Sequence, residues 1–75
     1  MSQSLPRITA DQAIRVALHC GFVKVRQSGS HKIFRNPQGV RLTIPYHKGA
    51  ILHPKLVKAL LRDLNLSPDQ FLDLM

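Results

Sequence analysis

Gly29, Ser30 and His31, followed by Lys32-Ile33-Phe34-Arg35, place a titratable imidazole at the start of an extended segment with cations on both sides. That pattern suits work on a phosphodiester. Cleaving RNA needs a base to take the 2′-hydroxyl proton and an acid to protonate the leaving oxygen, and histidine titrates in the range for either task. Charge developing on the phosphate needs cations close by. Lys24, Arg26, Lys32 and Arg35 all lie on the same or a neighbouring extended segment. A strand-end histidine that binds a backbone group would carry the same spacing, so both readings stand at this level.

Other chemistries find less support. His47 and His53 flank a basic loop, but a zinc site wants three or four ligands. Cys20 is the single cysteine, and no carboxylate lies between Asp11 and Asp63, so no metal is expected. His47 reads as a structural histidine or a secondary phosphate contact, and His19 as an exposed helix residue. Cys20 reads as a small residue buried near a helix end. One cysteine allows no internal disulfide, which fits a reducing cytosol. There is no Walker loop, no Ser-His-Asp arrangement and no acidic cluster for a two-metal nuclease. Any nuclease built from this chain would be metal-independent. The one tyrosine and three phenylalanines give little support to an aromatic platform for single strands, because Phe22, Phe34 and Phe71 are core candidates.

The 11 Lys+Arg against 4 Asp+Glu give a net charge of +7 over 75 residues. Residues 1–62 hold all 11 cations and only Asp11, a balance of +10, while residues 63–75 hold three aspartates and no cation, a balance of −3. A basic body with an acidic tail attracts polyanions, of which nucleic acid is the common one. No apolar run approaches the roughly 20 residues that span a bilayer, and Met1 to Arg7 contains no apolar leader. No helix combines a strong apolar face with an aromatic anchor, so membrane binding is not expected. The length suits one domain with one small core.

The elements that must hold these residues follow from local signals. Thr9 with Gln12 forms a capping box for a helix over about Ala10 to Cys20, with Ala10, Ala13, Ile14, Ala17 and Leu18 at the spacing of one buried face and Gly21 ending it. Phe22 to Gln27 reads as a strand, Ser28-Gly29 as a turn, and Ser30 to Arg35 as a second strand. Asn36-Pro37-Gln38-Gly39 is a second turn. Val40 to Ile44 is a third strand, with Val40, Leu42 and Ile44 facing a core and Pro45 ending it. After a loop from Tyr46 to Leu52, His53 caps a helix with Pro54 at its first position. Leu56, Val57, Leu60, Leu61 and Leu64 form its apolar stripe. Lys55, Lys58 and Arg62 share another face, either as a solvated surface or as a phosphate contact near a helix N-terminus. Asn65 suits the left-handed position after this helix. Ser67 with Gln70 is a second capping box, opening a short helix with Phe71, Leu72 and Leu74. The expected fold is α+β, a two-layer, three-stranded antiparallel meander with helices on one face and the other face open. Ile33 and Phe34 are both apolar yet alternate in direction, which leaves open the face that His31 shares.

The chain resembles the HicA-type (YcfA-like) toxins. The likeness rests on Gly21-Phe22, on Arg26-Gln27-Ser28-Gly29-Ser30-His31, on Ile44-Pro45-Tyr46-His47, on Leu60 to Ser67 and on Phe71-Leu72, and so spans nearly the whole of residues 1–75. It implies a fold similar to double-stranded RNA-binding domains and the activity of a ribosome-independent mRNA interferase. It implies that the catalytic residue is His31 and that a HicB-type antitoxin binds and blocks the toxin, usually from a two-gene operon; no cofactor or metal is implied. The chain departs from many relatives at Lys55 and Asn65, where glycine is common.

Taken together, the expectation is a cytoplasmic endoribonuclease toxin, monomeric when free, with RNA and an antitoxin as partners. His31 serves as acid or base, and Lys24, Arg26, Ser30, Lys32, Lys48, Lys55 and Lys58 contact RNA. Two alternatives are a non-catalytic RNA-binding domain of the same fold, and a protein-interaction subunit whose basic surface serves an acidic partner.

Overall fold

The computed structural model describes Leu5 and residues 7–75. Most of the segment read above as lacking an apolar leader, Met1–Ser4 and Pro6, lies outside the described residues. The elements run α1 (Ala10–His19), β1 (Val23–Ser28), β2 (His31–Arg35), β3 (Arg41–Pro45), α2 (Pro54–Leu64) and α3 (Pro68–Leu74). The strands form one antiparallel sheet in the order β1-β2-β3. This is the expected α+β arrangement. The boundaries shift by a residue at each strand: Phe22 precedes β1 and turns into the core while Ser28 belongs to the strand, β2 begins at His31 rather than Ser30, and β3 begins at Arg41 and includes Pro45.

Side chains at the ends satisfy the helix-terminal amides. In α1 the Thr9 hydroxyl accepts from the Gln12 N–H at 3.2 Å while Gln12 Oε1 accepts from the Thr9 N–H at 2.9 Å. Ser67 and Gln70 repeat the box at α3, at 3.2 and 2.8 Å. At α2, His53 Nδ1 accepts from the Lys55 N–H at 3.0 Å, and Asn65 closes the helix in the left-handed region at φ 59°. Thr9→Ala and Ser67→Ala should therefore each cost about 0.5–2 kcal/mol of stability, read as a lower urea midpoint at unchanged slope.

The core lies between the helices and one sheet face. Phe34, Leu42 and Ile44 project from the sheet into a cluster with Ala10, Ala13, Val16 and Ala17 of α1, with Val57, Leu60, Leu61 and Leu64 of α2, and with Phe22 and Phe71. Val40 and Leu56 pack at its margin. The stripe expected on α1 is corrected in one respect: Leu18 is 53% exposed and Val16 is buried. The helix packs against both β3 and α3, so its inner face centres between Ala13 and Ala17. That places Val16 inside and swings Leu18 to the outer side. Ile8 and Leu52, joined by a 2.7 Å bond from the Leu52 N–H to the Ile8 carbonyl, close the core at the α2 end. No helix among the described residues is long and apolar enough to cross a membrane.

Candidate active site on the open sheet face

Register decides which residues share a face. Between β2 and β3, His31 pairs with Pro45, Lys32 with Ile44, Ile33 with Thr43, Phe34 with Leu42, and Arg35 with Arg41. Directly paired residues point the same way, and neighbours along a strand point oppositely. Phe34, Leu42 and Ile44 face the helices, so Lys32 shares that side. His31, Ile33, Arg35, Arg41 and Thr43 therefore line the open face. The face of His31, undecided from sequence, is settled by Phe34: the larger ring enters the core, and Ile33 does not belong to that cluster.

A β-bulge extends this face onto β1. The register shifts between Lys24, which pairs with Phe34, and Arg26, which pairs with Ile33. The extra residue, Val25, lets Val23, Val25, Arg26 and Ser28 all reach the open side, where strict alternation would have sent Arg26 and Ser28 to the other. Val25, Arg26, Ile33, Arg35 and Arg41 line a shallow cleft of about 240 Å³ there.

His31 stands at one end of this face. Ser28 pairs with it directly, and the two-residue turn between them has Gly29 at φ 58°. An L-residue would be strained at that position. The Tyr46 N–H donates to the Ser30 carbonyl at 2.6 Å, which ties the turn to the chain leaving β3. The imidazole is exposed, and no side-chain hydrogen bond among the described residues involves it. The strand-end reading, in which His31 serves to bind a backbone group, finds no such bond.

The residues expected to contact RNA are not gathered into one place. Arg26 shares the open face with His31. Lys24 and Lys32 lie on the helix side of their strands. Lys24 Nζ donates to Gln27 Oε1 at 3.4 Å, and Lys32 Nζ sits 3.8 Å from the Tyr46 ring centroid. Ser30 is half-buried in the turn, and Lys48 is exposed in the loop after β3. Lys55 and Lys58 are exposed on the first half of α2. His47 is exposed in the loop, His53 caps α2, and His19 is exposed at the end of α1. Burial pushes the Cys20 thiol up from its ordinary value, as suits a packing residue rather than a nucleophile. Arg35, named among the cations near His31 but not among the RNA contacts, and Arg41, named in neither, both share the open face. The clean alternation of Val40-Arg41-Leu42-Thr43-Ile44 already places Arg41 opposite the core.

The strands carry Lys24, Arg26, Lys32, Arg35 and Arg41 and no carboxylate, while Asp11, Asp63, Asp69 and Asp73 all sit on helices. One acid reaches toward the sheet end: the Tyr46 hydroxyl donates to Asp11 Oδ2 at 3.4 Å. That hydrogen bond, with smaller contributions from desolvation and the charge of Asp11, raises the Tyr46 pKa above its ordinary value. A raised folded-state pKa means that the contact stabilises the fold below the ordinary tyrosine value of about 10 and is lost as pH rises through the folded value. Tyr46 is the only tyrosine and there is no tryptophan, so an absorbance titration reads this group directly. It should ionise above the ordinary range, and Asp11→Asn should bring it back down.

A comparison with curated proteins finds no match. The family model for the HicA toxin of bacterial toxin-antitoxin systems matches residues 10–66, a span from the start of α1 to just past α2 that includes the whole sheet and His31. Three-quarters of the chain, with its open-face histidine, follows that model, and the protein belongs to the HicA toxin family.

Proposed function

We propose that this HicA-family toxin is an endoribonuclease that cleaves mRNA without a metal, with His31 as the general acid or base. The observation that carries the reading is the exposed His31 imidazole on a sheet face that bears arginines and no carboxylate. In the proposed step the ribose 2′-oxygen attacks the adjacent phosphorus. A 2′-O–P bond forms, the P–O5′ bond breaks, one proton leaves the 2′-hydroxyl and one reaches the departing 5′-oxygen. His31 handles one of these protons, and Arg26, on the same face, holds the phosphate. Lys24 and Lys32 on the same strand pair, the Ser30 hydroxyl in the turn, Lys48 in the loop, and Lys55 and Lys58 on α2 extend the basic field that receives RNA. The α-β-β-β-α order supports the likeness to double-stranded RNA-binding domains. Residues 1–75 act as one such domain, a reading supported by Phe71, which lies beyond the matched span yet within the same core. A HicB-type antitoxin neutralises the toxin by covering the region of His31, and the free toxin is a cytoplasmic monomer.

The test is incubation of the purified chain with end-labelled RNA in EDTA, followed by analysis of product ends. Cleavage leaving 2′,3′-cyclic phosphates is expected; intact RNA would overturn the proposal. One observation favours a second reading, a non-catalytic RNA-binding domain: among the described residues His31 is the only imidazole on the open face, so no second imidazole stands ready for the other proton.

A further inference from the structure

We propose that Arg26, Arg35 and Arg41, with the floor formed by Ile33 and Val25, make a subsite for one unstacked nucleotide of single-stranded RNA. This inference rests on the ribonuclease reading and adds the substrate's path and form to it. Arg35 and Arg41 are direct cross-strand partners. Like charges in that position repel, and the sheet supplies no carboxylate to relieve them. An anion between them would. The bulge at Val25 adds Arg26 to the same face, so all three strands contribute a guanidinium to one cleft.

The floor of this cleft is apolar. Ile33 is only 7% exposed although it lies on the side of the sheet away from the helices and outside the helix-side core. Arg26, Arg35 and Arg41 line the same cleft, and long cationic side chains commonly lay their aliphatic stems over apolar surface. A surface of this kind matches a flat base laid on the exposed Val25 side chain and the guanidinium planes above Ile33, with phosphates at the rim. Guanidinium groups grip phosphate in a bidentate manner and also stack on base planes. A duplex offers its outer backbone and hides its base faces, so it leaves the apolar floor unmatched. His31 lies on the same sheet face beyond the end of the cleft. Ile33 lies two residues and Arg35 four residues along β2 from the imidazole, about 7 and 13 Å at strand rise. A strand seated here runs along β2 with a phosphate delivered to His31.

The test measures fluorescence anisotropy of a labelled single-stranded RNA of about twelve nucleotides, and of a duplex of equal length, in EDTA at several salt concentrations. All variants carry His31→Ala so that the probe stays intact. Arg35→Gln combined with Arg41→Gln should weaken single-strand binding about tenfold or more. It should also reduce the slope of log affinity against log salt by about 0.7 for each phosphate that is no longer neutralised. Arg15→Gln, an equal charge loss per site on the exposed side of α1, should change little. Arg41→Glu should weaken RNA binding further while raising the melting temperature by a few degrees, because it replaces a repulsive cross-strand pair with an attractive one. That opposite movement of stability and binding is not expected of a merely structural arginine. Unchanged single-strand affinity in the double variant, or a loss no larger than that of Arg15→Gln, would overturn the subsite. Equal affinity for the duplex would do the same. If the double variant keeps RNA binding and loses antitoxin binding, the face is a protein-docking surface and the proposal fails. Cleavage by the unmodified chain is scored separately: RNA bound through the cleft but never cut defeats the ribonuclease reading alone, and absence of RNA binding defeats both.

Discussion

His31→Ala is expected to lower RNA cleavage by about 10²–10⁴-fold, the usual contribution of a positioned general acid or base. The side chain is exposed and hydrogen-bonds to no other side chain or backbone group among the described residues. Its removal therefore creates no cavity and leaves no partner unsatisfied, so the melting temperature should stay close to that of the parent. RNA affinity should also persist, because the attraction comes chiefly from the surrounding cations. The informative result is this separation of cleavage from binding. A variant that cleaves as fast as the parent removes His31 from the mechanism. Two proteins that bind equally and cleave nothing describe an RNA-binding module. Weak RNA affinity with little salt dependence in both points to the protein-interaction subunit, whose basic surface serves an acidic partner.

The second large effect lies in the core. Phe34→Ala should destabilise the fold by about 3–5 kcal/mol, the range for deleting a buried phenyl ring. Phe34 is 1% exposed and faces both α1 and α2 residues across the core. A chain of 75 residues is expected to have a total stability of about 4–11 kcal/mol. This one change therefore removes a large share of it and should leave a measurable unfolded population at moderate temperature. Ile33→Ala supplies the contrast. Ile33 is nearly as buried but lies on the open face, in a cleft lined by three arginines whose flexible side chains can settle onto a smaller residue. Its cost should be clearly smaller in the same urea titration. Comparable losses at the two positions would contradict the assignment of Phe34 to the core and Ile33 to the open face.

These two neighbours also show how far the sequence could be read. Local signals placed the elements well. Both capping boxes, Pro54 at the start of α2 and Asn65 in the left-handed position depend on a few adjacent residues, and each was legible. The stripe on α2 and the alternation of β3 were legible for the same reason, since a single face of each is apolar. The stripe on α1 was less so. Alanines predominate on both candidate faces, and the choice between Val16 and Leu18 depends on where β3 and α3 approach.

The order of elements, the basic character of the sheet and the position of His31 at a strand start follow from propensity, turn chemistry and charge, which are local properties. What stands beside His31 follows from packing between distant segments. In β2 two adjacent apolar residues compete for the interior, and the contest is settled by the volume available under α1 and α2, which takes Phe34. That choice fixes the parity of the strand and sends His31, Ile33 and Arg35 to the open face. The bulge at Val25 then resets the parity of β1 and brings Arg26 across to join them. Register and bulge arise from packing between distant segments, so the grouping of three arginines with one histidine became visible only once the strands were paired.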